Sequence, residues 1–406
     1  MTILRRPKHS RIASVNAKIG RNINRSIILN SIRKSQPISR TTISTLTGLN
    51  KSTVSNIVES LVDENLVEED VAPNQNIGRN PINLRVKKGQ HFVGALYVAT
   101  AQTEIAVVDI DGTIKSHETI NTEMDQPRLF LQLCLDHLNK LRLTSGVSKL
   151  KGIGISVAGI VDSLKSKVIY APNLGWKDLD LGQIIHELDP AIGEITIEND
   201  AKASALAELL LGRHESIPTS IVFLSVGYGI GAGLVIENHI LSGYSHAAGE
   251  FGHMTIVEGG ELCSCGNQGC WEVYASDRAT LRRYSTAKGL TPEQTHNVLI
   301  TDIIEAAKKG DGAARKALEQ TAKYLGVGIA NIVCSSDPEI IIIGGSVTQA
   351  WDIVYPQIIE TVQRRGFLGS QRSNLILPTS LAGNPSLLGA AALSIQKIFA
   401  DYRIAL

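Results

Sequence analysis

The 406-residue sequence predicts a mixed α/β protein: a small helical head with a β-hairpin, joined to a larger body of alternating strands and helices. Three observations lead there. Cationic residues and helical apolar patterns crowd the first ninety positions. Beyond them, strand-like apolar runs at 92–98, 105–110, 152–157, 195–198, 221–226 and 339–343 alternate with helical stretches. A composition of 43% apolar and 19% charged residues over this length suits two or three soluble domains with ample cores. No apolar run reaches the length of a membrane span, and no apolar segment follows the basic N-terminus as in a secretory signal. A cytoplasmic location is therefore expected.

Within the head, Ile23, Ile27, Ile28 and Ile32 recur at helical spacing, and Pro37 breaks the run. Ser39 is suited to cap a second, short helix through Ile43 and Leu46, and Gly48 to turn the chain. Asn50 can cap a third helix with Val54, Ile57, Val58 and Leu61 on its apolar face. Two helices about a glycine turn form the helix-turn-helix pattern. Two alternating segments follow, Leu66–Asp70 and Ile82–Val86, with Arg79 in the tip between them, which completes a winged helix-turn-helix over 1–86. The third helix would expose Lys51, Ser52, Thr53, Ser55 and Asn56, short donors and acceptors at the end where recognition helices meet base edges. Arg79 would reach a phosphate or a narrow groove. The first acidic residue of the chain is Glu59, after eleven Lys and Arg, while the whole carries only +1. Such segregation predicts a polyanionic partner, and the polar helix face makes that partner DNA. A helical domain packing on another protein is the plainer alternative.

Lys87-Lys88-Gly89 reads as a linker. In the body, Asp109-Ile110-Asp111-Gly112 is a hairpin turn signal. Glu198-Asn199-Asp200-Ala201 ends a strand and opens an Ala-rich helix, which places Asp200 at a strand's carboxyl end, where α/β sheets hold their sites. Taken alone, a helix N-cap is its plainer reading. Gly227-Tyr228-Gly229-Ile230-Gly231-Ala232-Gly233 lets backbones approach closely but is neither a dinucleotide fingerprint nor a P-loop. Of the five cysteines, Cys263, Cys265 and Cys270 cluster within eight residues, and His253 stands upstream. Three thiolates and an imidazole make a closed tetrahedral zinc site with no open position, hence a structural one. Cys134 and Cys334 are expected in the core. Glu250, His253 and Glu272 flank the cluster and could join Asn173, Asn199 and Asp200 around a polyhydroxylated ligand.

Gly249-Glu250-Phe251-Gly252-His253 followed by Cys263-x-Cys265-Gly-x-x-Gly-Cys270-x-Glu272 resembles the signature of the ROK family of bacterial sugar kinases and sugar-responsive repressors. The resemblance runs from about residue 20 to the C-terminus and includes Ile343-Gly344-Gly345. The winged head resembles the repressor branch. Asn173–Lys177, Gly252–Ile256 and Cys270–Ser276 look most like the xylose repressors of that family.

The resemblance implies a two-lobed, actin-like and hexokinase-like body. The first lobe would span 90–200 and the second 201–385, with a C-terminal helix near 386–400 packing back on the first. It implies sugar contacts at Asn173, Asn199, Asp200, Glu250, His253 and Glu272, and zinc on His253, Cys263, Cys265 and Cys270. In the kinases the residue matching Asp200 is the catalytic base. The kinases also carry an Asp-x-Gly-Gly-Thr phosphate loop, and Tyr97-Val98-Ala99-Thr100-Ala101 stands in its place here. Tyr228 stands where they usually have Thr. The expectation is therefore a non-enzymatic repressor, a homodimer or higher homo-oligomer on operator DNA, relieved by a sugar, xylose first among candidates. An active sugar kinase with a DNA-binding appendage and a repressor controlled by a protein partner remain open.

Overall fold

The structure, a computed structural model, describes residues 17–71, 82–214, 218–365 and 375–399. It divides into two compact units, one of Met1–Gln90 with Gln396–Leu406 and one of His91–Ile395.

The head comprises α1 (Ala17–Ser35), β1 (Ile38–Ser39), α2 (Arg40–Thr47), α3 (Lys51–Asp63), β2 (Val67–Val71) and β3 (Ile82–Val86), with sheet order β1-β3-β2. Its caps are those the sequence specifies. Ser39 accepts from the Thr42 N–H, Gly48 adopts the left-handed conformation at +70°, and Asn50 accepts from the Thr53 N–H at 2.7 Å. Ile28, Leu29, Ile32, Ile43, Val54, Val58, Leu61 and Leu84 are fully buried together. Ile27 and Leu46 are not part of this core but lie exposed. The stripe on α1 runs through Ile28, Leu29 and Ile32, which turns Ile27 outward, and α2 is too short to bury more than Ile43. Ser26 and Asn30 on α1 donate to the carbonyl of Phe399, and the Arg33 guanidinium lies 5.6 Å over the Phe399 ring. Arg79 and the basic residues before Ala17 lie outside the described residues.

The body opens with β4 (Phe92–Val98), β5 (Gln102–Asp109), β6 (Ile114–Asn121), α4 (Pro127–Thr144) and β7 (Leu150–Val157). A small sheet follows from β8 (Ile160–Asp162), β9 (Lys167–Ala171) and β10 (Trp176–Asp180), then α5 (Leu181–Leu188) and β11 (Glu194–Asn199). The main sheet has the order β11-β7-β4-β5-β6. Its central strand β4 has six of seven residues buried because both faces are covered, whereas the edge strand β6 alternates.

From α6 (Asp200–Leu211) the chain enters β12 (Ile221–Val226), β13 (Ile230–Ile236) and β14 (His239–Ile240). Six helices lie ahead of or beside the remaining strands: α7 (Trp271–Ala275), α8 (Asp277–Lys288), α9 (Pro292–His296), α10 (Ile300–Lys308), α11 (Gly312–Ser336) and, after β15 (Ile340–Gly344), α12 (Trp351–Arg365). β16 (Ile376–Pro378) and α13 (Pro385–Phe399) follow. The second sheet has the order β14-β13-β12-β15-β16. It repeats the first: an antiparallel meander of three strands, extended on one side by two parallel strands. α6 is buried all round from Ala201 to Leu209, and its alanines keep it thin enough to lie against β12 and β13. α13 returns to the first sheet, where the Ser156 hydroxyl donates to the Ser386 carbonyl at 2.7 Å. Cys134 is buried as expected, but Cys334 is exposed. Ile332 and Val333 face the core in that last turn of α11, and the next residue rotates out.

Candidate functional site

Several of the flagged residues meet at the carboxyl end of β11. Asn199 there caps α6, its side-chain oxygen accepting from the N–H groups of Ala201 and Lys202, while its amide donates to the Gly159 carbonyl at 3.0 Å. One amide hydrogen is left for a ligand. Asp200 follows, partly exposed, and accepts from the Ala201 N–H at 2.9 Å. Burial, with the nearby charge of Glu250 adding, pushes its carboxyl up to about 6 against the backbone hydrogen bonds that oppose the shift.

That shift has a sign in stability. A carboxyl raised above its unfolded value of about 3.9 costs nothing while protonated in both states. The cost grows as the pH climbs toward 6 and stays constant above. Asp200→Asn is expected to stabilise the body by on the order of 2 kcal/mol near neutral pH, the gain shrinking as the pH falls toward 4. Denaturant titrations across that range check it, and equal stability of the two proteins at neutral pH would contradict it.

Glu250 is brought to Asp200 by the segment after β14. Gly249 and Gly252 lie directly on β13, where an added Cβ would stand 2.2 Å from the carbonyl oxygens of Ala232 and Ile230. This is why both glycines of the Gly-Glu-Phe-Gly-His run are needed. A single helical turn, Phe251–His253, then sets His253 beside the cysteines.

The ligand atoms of His253, Cys263, Cys265 and Cys270 all lie within 4.8 Å of one another. Around a tetrahedral ion, thiolates at ~2.3 Å and an imidazole at ~2.0 Å stand about 3.8 Å (S to S) and 3.5 Å (S to N) apart. The Cys265 and Cys270 sulfurs are 3.7 Å apart, and the Cys263 sulfur is 3.6 Å from His253 Nδ1. The residues fit a metal ion. The Asn267 N–H aimed at Cys265 lowers its thiol pKa, whereas burial pushes Cys263 up to about 12, so metal binding would release a proton there. The loop is anchored from α7 and α8. The Tyr274 hydroxyl accepts from the Glu261 N–H, and Arg282 pairs with Glu261.

Glu272 joins this centre to the glycine turn. Its Oε1 accepts from the Cys263 thiol at 3.1 Å and lies 3.7 Å from His253 Nδ1, while Oε2 sits where a Cβ on Gly229 would be, at 2.6 Å. Since Nδ1 faces the cysteines, His253 Nε2 points away from them. Asn173 lies elsewhere. It is exposed and lines a cavity of about 560 Å³ with Met124, Asp125, Trp176 and Lys177. No hydrogen bond among the described residues ties it to Asp200, Glu250 or Glu272. Lys51, Ser52 and Asn56 are exposed on α3, and Thr53 and Ser55 partly so, while Ser52 also donates to the capping Asn50. Two cations of the basic stretch are already engaged, Arg25 with Glu64 and Arg40 with Glu69.

Tyr97 and Lys202 have surroundings that the sequence does not disclose. The Tyr97 phenol is hydrogen-bonded to Ser386 and close enough to Asp200 that, after burial, its charge helps raise the phenol pKa. Lys202 is 2% exposed beside Glu198, likewise 2% exposed. A charged residue inside an otherwise Ala- and Leu-rich helix was the available signal.

The sequence model of the ROK family matches residues 93–397, and that of the IclR helix-turn-helix domain matches 28–71. The chain belongs to the ROK family. It is 34% identical over 376 residues to a xylose repressor of Bacillus spizizenii, covering 92% of this chain and 95% of that protein. Among solved structures, a ROK family transcriptional regulator, homologous to the Escherichia coli Mlc protein, superposes with a TM-score of 0.79 at 26% identity, over 94% of this chain and 97% of that one. The ROK glucokinase of Streptomyces griseus, in complex with glucose and AMPPNP, does so with a TM-score of 0.65 at 28% identity, over 75% of this chain and 99% of its own. This ROK chain thus carries a winged helix-turn-helix and an actin-like, hexokinase-like body. No helix among its described residues is long and apolar enough to cross a membrane.

Proposed function

We propose that this ROK protein is a sugar-responsive, DNA-binding transcriptional repressor. The observation that carries the reading is the pairing, in one chain, of a capped helix in a helix-turn-helix with a body whose Asp200 feels the charge of Glu250 and which holds a His/Cys₃ centre. Full-length similarity to a xylose repressor supports it. α3 enters the major groove with Lys51, Ser52, Thr53, Ser55 and Asn56, and Arg79 serves the wing. The protein acts as a dimer or higher oligomer in the cytoplasm, because a recognition helix on each half-site matches a pseudo-palindromic operator.

The sugar is bound by carboxylates. Asp200, Glu250 and Glu272 accept its hydroxyl protons, His253 Nε2 adds a further contact, and Asn199 offers its remaining N–H. Asn173 is the remaining proposed contact. Xylose is the sugar we place first, on the similarity to xylose repressors. His253, Cys263, Cys265 and Cys270 hold a structural zinc ion, which fixes the loop bearing Glu272. A sugar that favours one shape of the body by about 1–3 kcal/mol changes operator affinity some 5–150-fold.

Fluorescence anisotropy on an operator selected from random duplexes tests the head. Lys51→Glu is expected to weaken binding roughly 10–100-fold, about 1–3 kcal/mol. Raising salt from about 50 to 200 mM should cost a further ~10³–10⁵ if six to ten phosphates are engaged. Wild-type affinity in the variant, or binding indifferent to salt, would remove DNA recognition from α3.

A further inference from the structure

Between β14 and Glu250 the chain runs without helix or strand, from Leu241 to Gly249. Three residues of this stretch, Gly243, His246 and Gly249, have left-handed backbones at +75°, +62° and +94°. Its own backbone bonds are turn-like, at 3.4 Å from His246 N to Gly243 O, 3.1 Å from Ala248 N to Ser242 O and 3.4 Å from Glu250 N to Ala247 O. Its ends are held on β13, by Leu241 N to Leu234 O at 2.9 Å and by the close approach of Gly249 to Ala232, but its middle belongs to no sheet ladder. The Lys202 ammonium on α6 donates to the carbonyl of His246 at 2.7 Å, at the middle of the stretch. The His246 ring adds a second tether, with Nε2 3.7 Å from Asp162 on β8.

Burying an ammonium is costly unless it is paired. Burial does lower the pKa of Lys202, and the charges of Glu198 and Glu250 oppose that. Glu198 is fixed in turn by the Asn199 N–H at 2.8 Å. A lysine that contributed only bulk to α6 could be replaced by an apolar residue, as its helix neighbours are. Its charge is used where the helix bearing Asp200 meets the stretch bearing Glu250.

We infer that Lys202 is a positioning residue, which from α6 pins the 241–249 stretch and so holds Glu250 toward Asp200. The inference rests on the sugar-cleft reading above. It makes ligand affinity depend on a buried ammonium whose hydrogen bond goes to backbone.

Calorimetric titration of the full-length protein with xylose, glucose and N-acetylglucosamine tests it, on wild type, Lys202→Met, Glu250→Gln and the double variant. Lys202→Met is expected to lose at least tenfold in affinity for the sugar that wild type binds, with metal content and the cooperative melt retained. The double variant should lose little more than Glu250→Gln alone, because the two act through one group. Hydrogen exchange should quicken across 241–249 in Lys202→Met. If Lys202→Met fails to fold, Glu198→Gln with Lys202→Met removes both buried charges and is read in the same way. Wild-type affinity in the variants, strictly additive losses or unchanged exchange overturns the inference alone. Failure of the wild type to bind any of the three sugars overturns the cleft reading as well.

Discussion

Cys265→Ser protein is expected to purify without metal and without any response to sugar, while still binding operator. The expectation follows from what the loop lacks inside itself. Between Cys263 and Cys270 the chain forms no helix or strand, and bonds such as Cys263 N to Asn267 O and Gly269 N to Glu261 O, both at 2.8 Å, close turns without fixing the three sulfurs around one point. Structural zinc sites contribute about 10–16 kcal/mol of apparent binding free energy near neutral pH, and losing one of four ligands forfeits much of it. The damage falls first on His253, whose Nδ1 faces the cysteines, and on Glu272, two residues after Cys270 at the start of α7. Elemental analysis and sugar titration of the same sample check both halves. A metal-free wild type with full sugar response would sink the structural role.

No phosphoryl transfer is expected from ATP-Mg²⁺ to xylose, glucose or N-acetylglucosamine. Kinase catalysis is positioning and charge stabilisation at the phosphates, and active kinases turn over at roughly 1–100 per second. Here β4 ends in Tyr97-Val98, and the turn into β5 is Ala99-Thr100-Ala101. Each of these residues carries a Cβ where a Gly-Gly turn would present bare N–H groups, and none is a carboxylate that could help place Mg²⁺. The Tyr97 phenol is committed to Ser386, and burial keeps it protonated. Asp200 retains the character of a base, with its carboxyl near 6, but a base alone does not position a phosphate. A coupled assay showing turnover in the ordinary kinase range would establish the rival reading of a sugar kinase with a DNA-binding head.

What the sequence discloses is what is local. Ser39, Gly48 and Asn50 announce the head helices because a cap involves residues two or three apart. The cysteine cluster is legible for the same reason, and His253 lies only ten positions upstream of it. Asp200 and Glu250 are fifty residues apart, and nothing in their spacing tells that Glu250 raises the pKa of Asp200. β8, β9 and β10 escape notice because strands of three to five mixed residues carry too short a period. The duplicated sheet order is hidden too, since it resides in connectivity and not in matching side chains. Lys202 is visible as a letter in an apolar helix, but its partner is a backbone carbonyl, which no sequence pattern marks.

The return of α13 to the first sheet governs the order in which the protein can be made. Ser156 and Ser386 are 230 residues apart, and Gly154 lies so close to α13 that a Cβ there would stand 1.7 Å from the Ala390 carbonyl oxygen. The five strands of the first sheet have all been made by Asn199, but the helix that covers β7 begins only at Pro385. A nascent chain therefore carries an uncovered β-sheet face while the whole second sheet is made, and such faces are where chains aggregate or recruit chaperones. A nonsense mutation between Asn199 and Pro385 would leave that first-made sheet open where α13 should cover it, so α13 acts as the completion signal for the oldest part of the body.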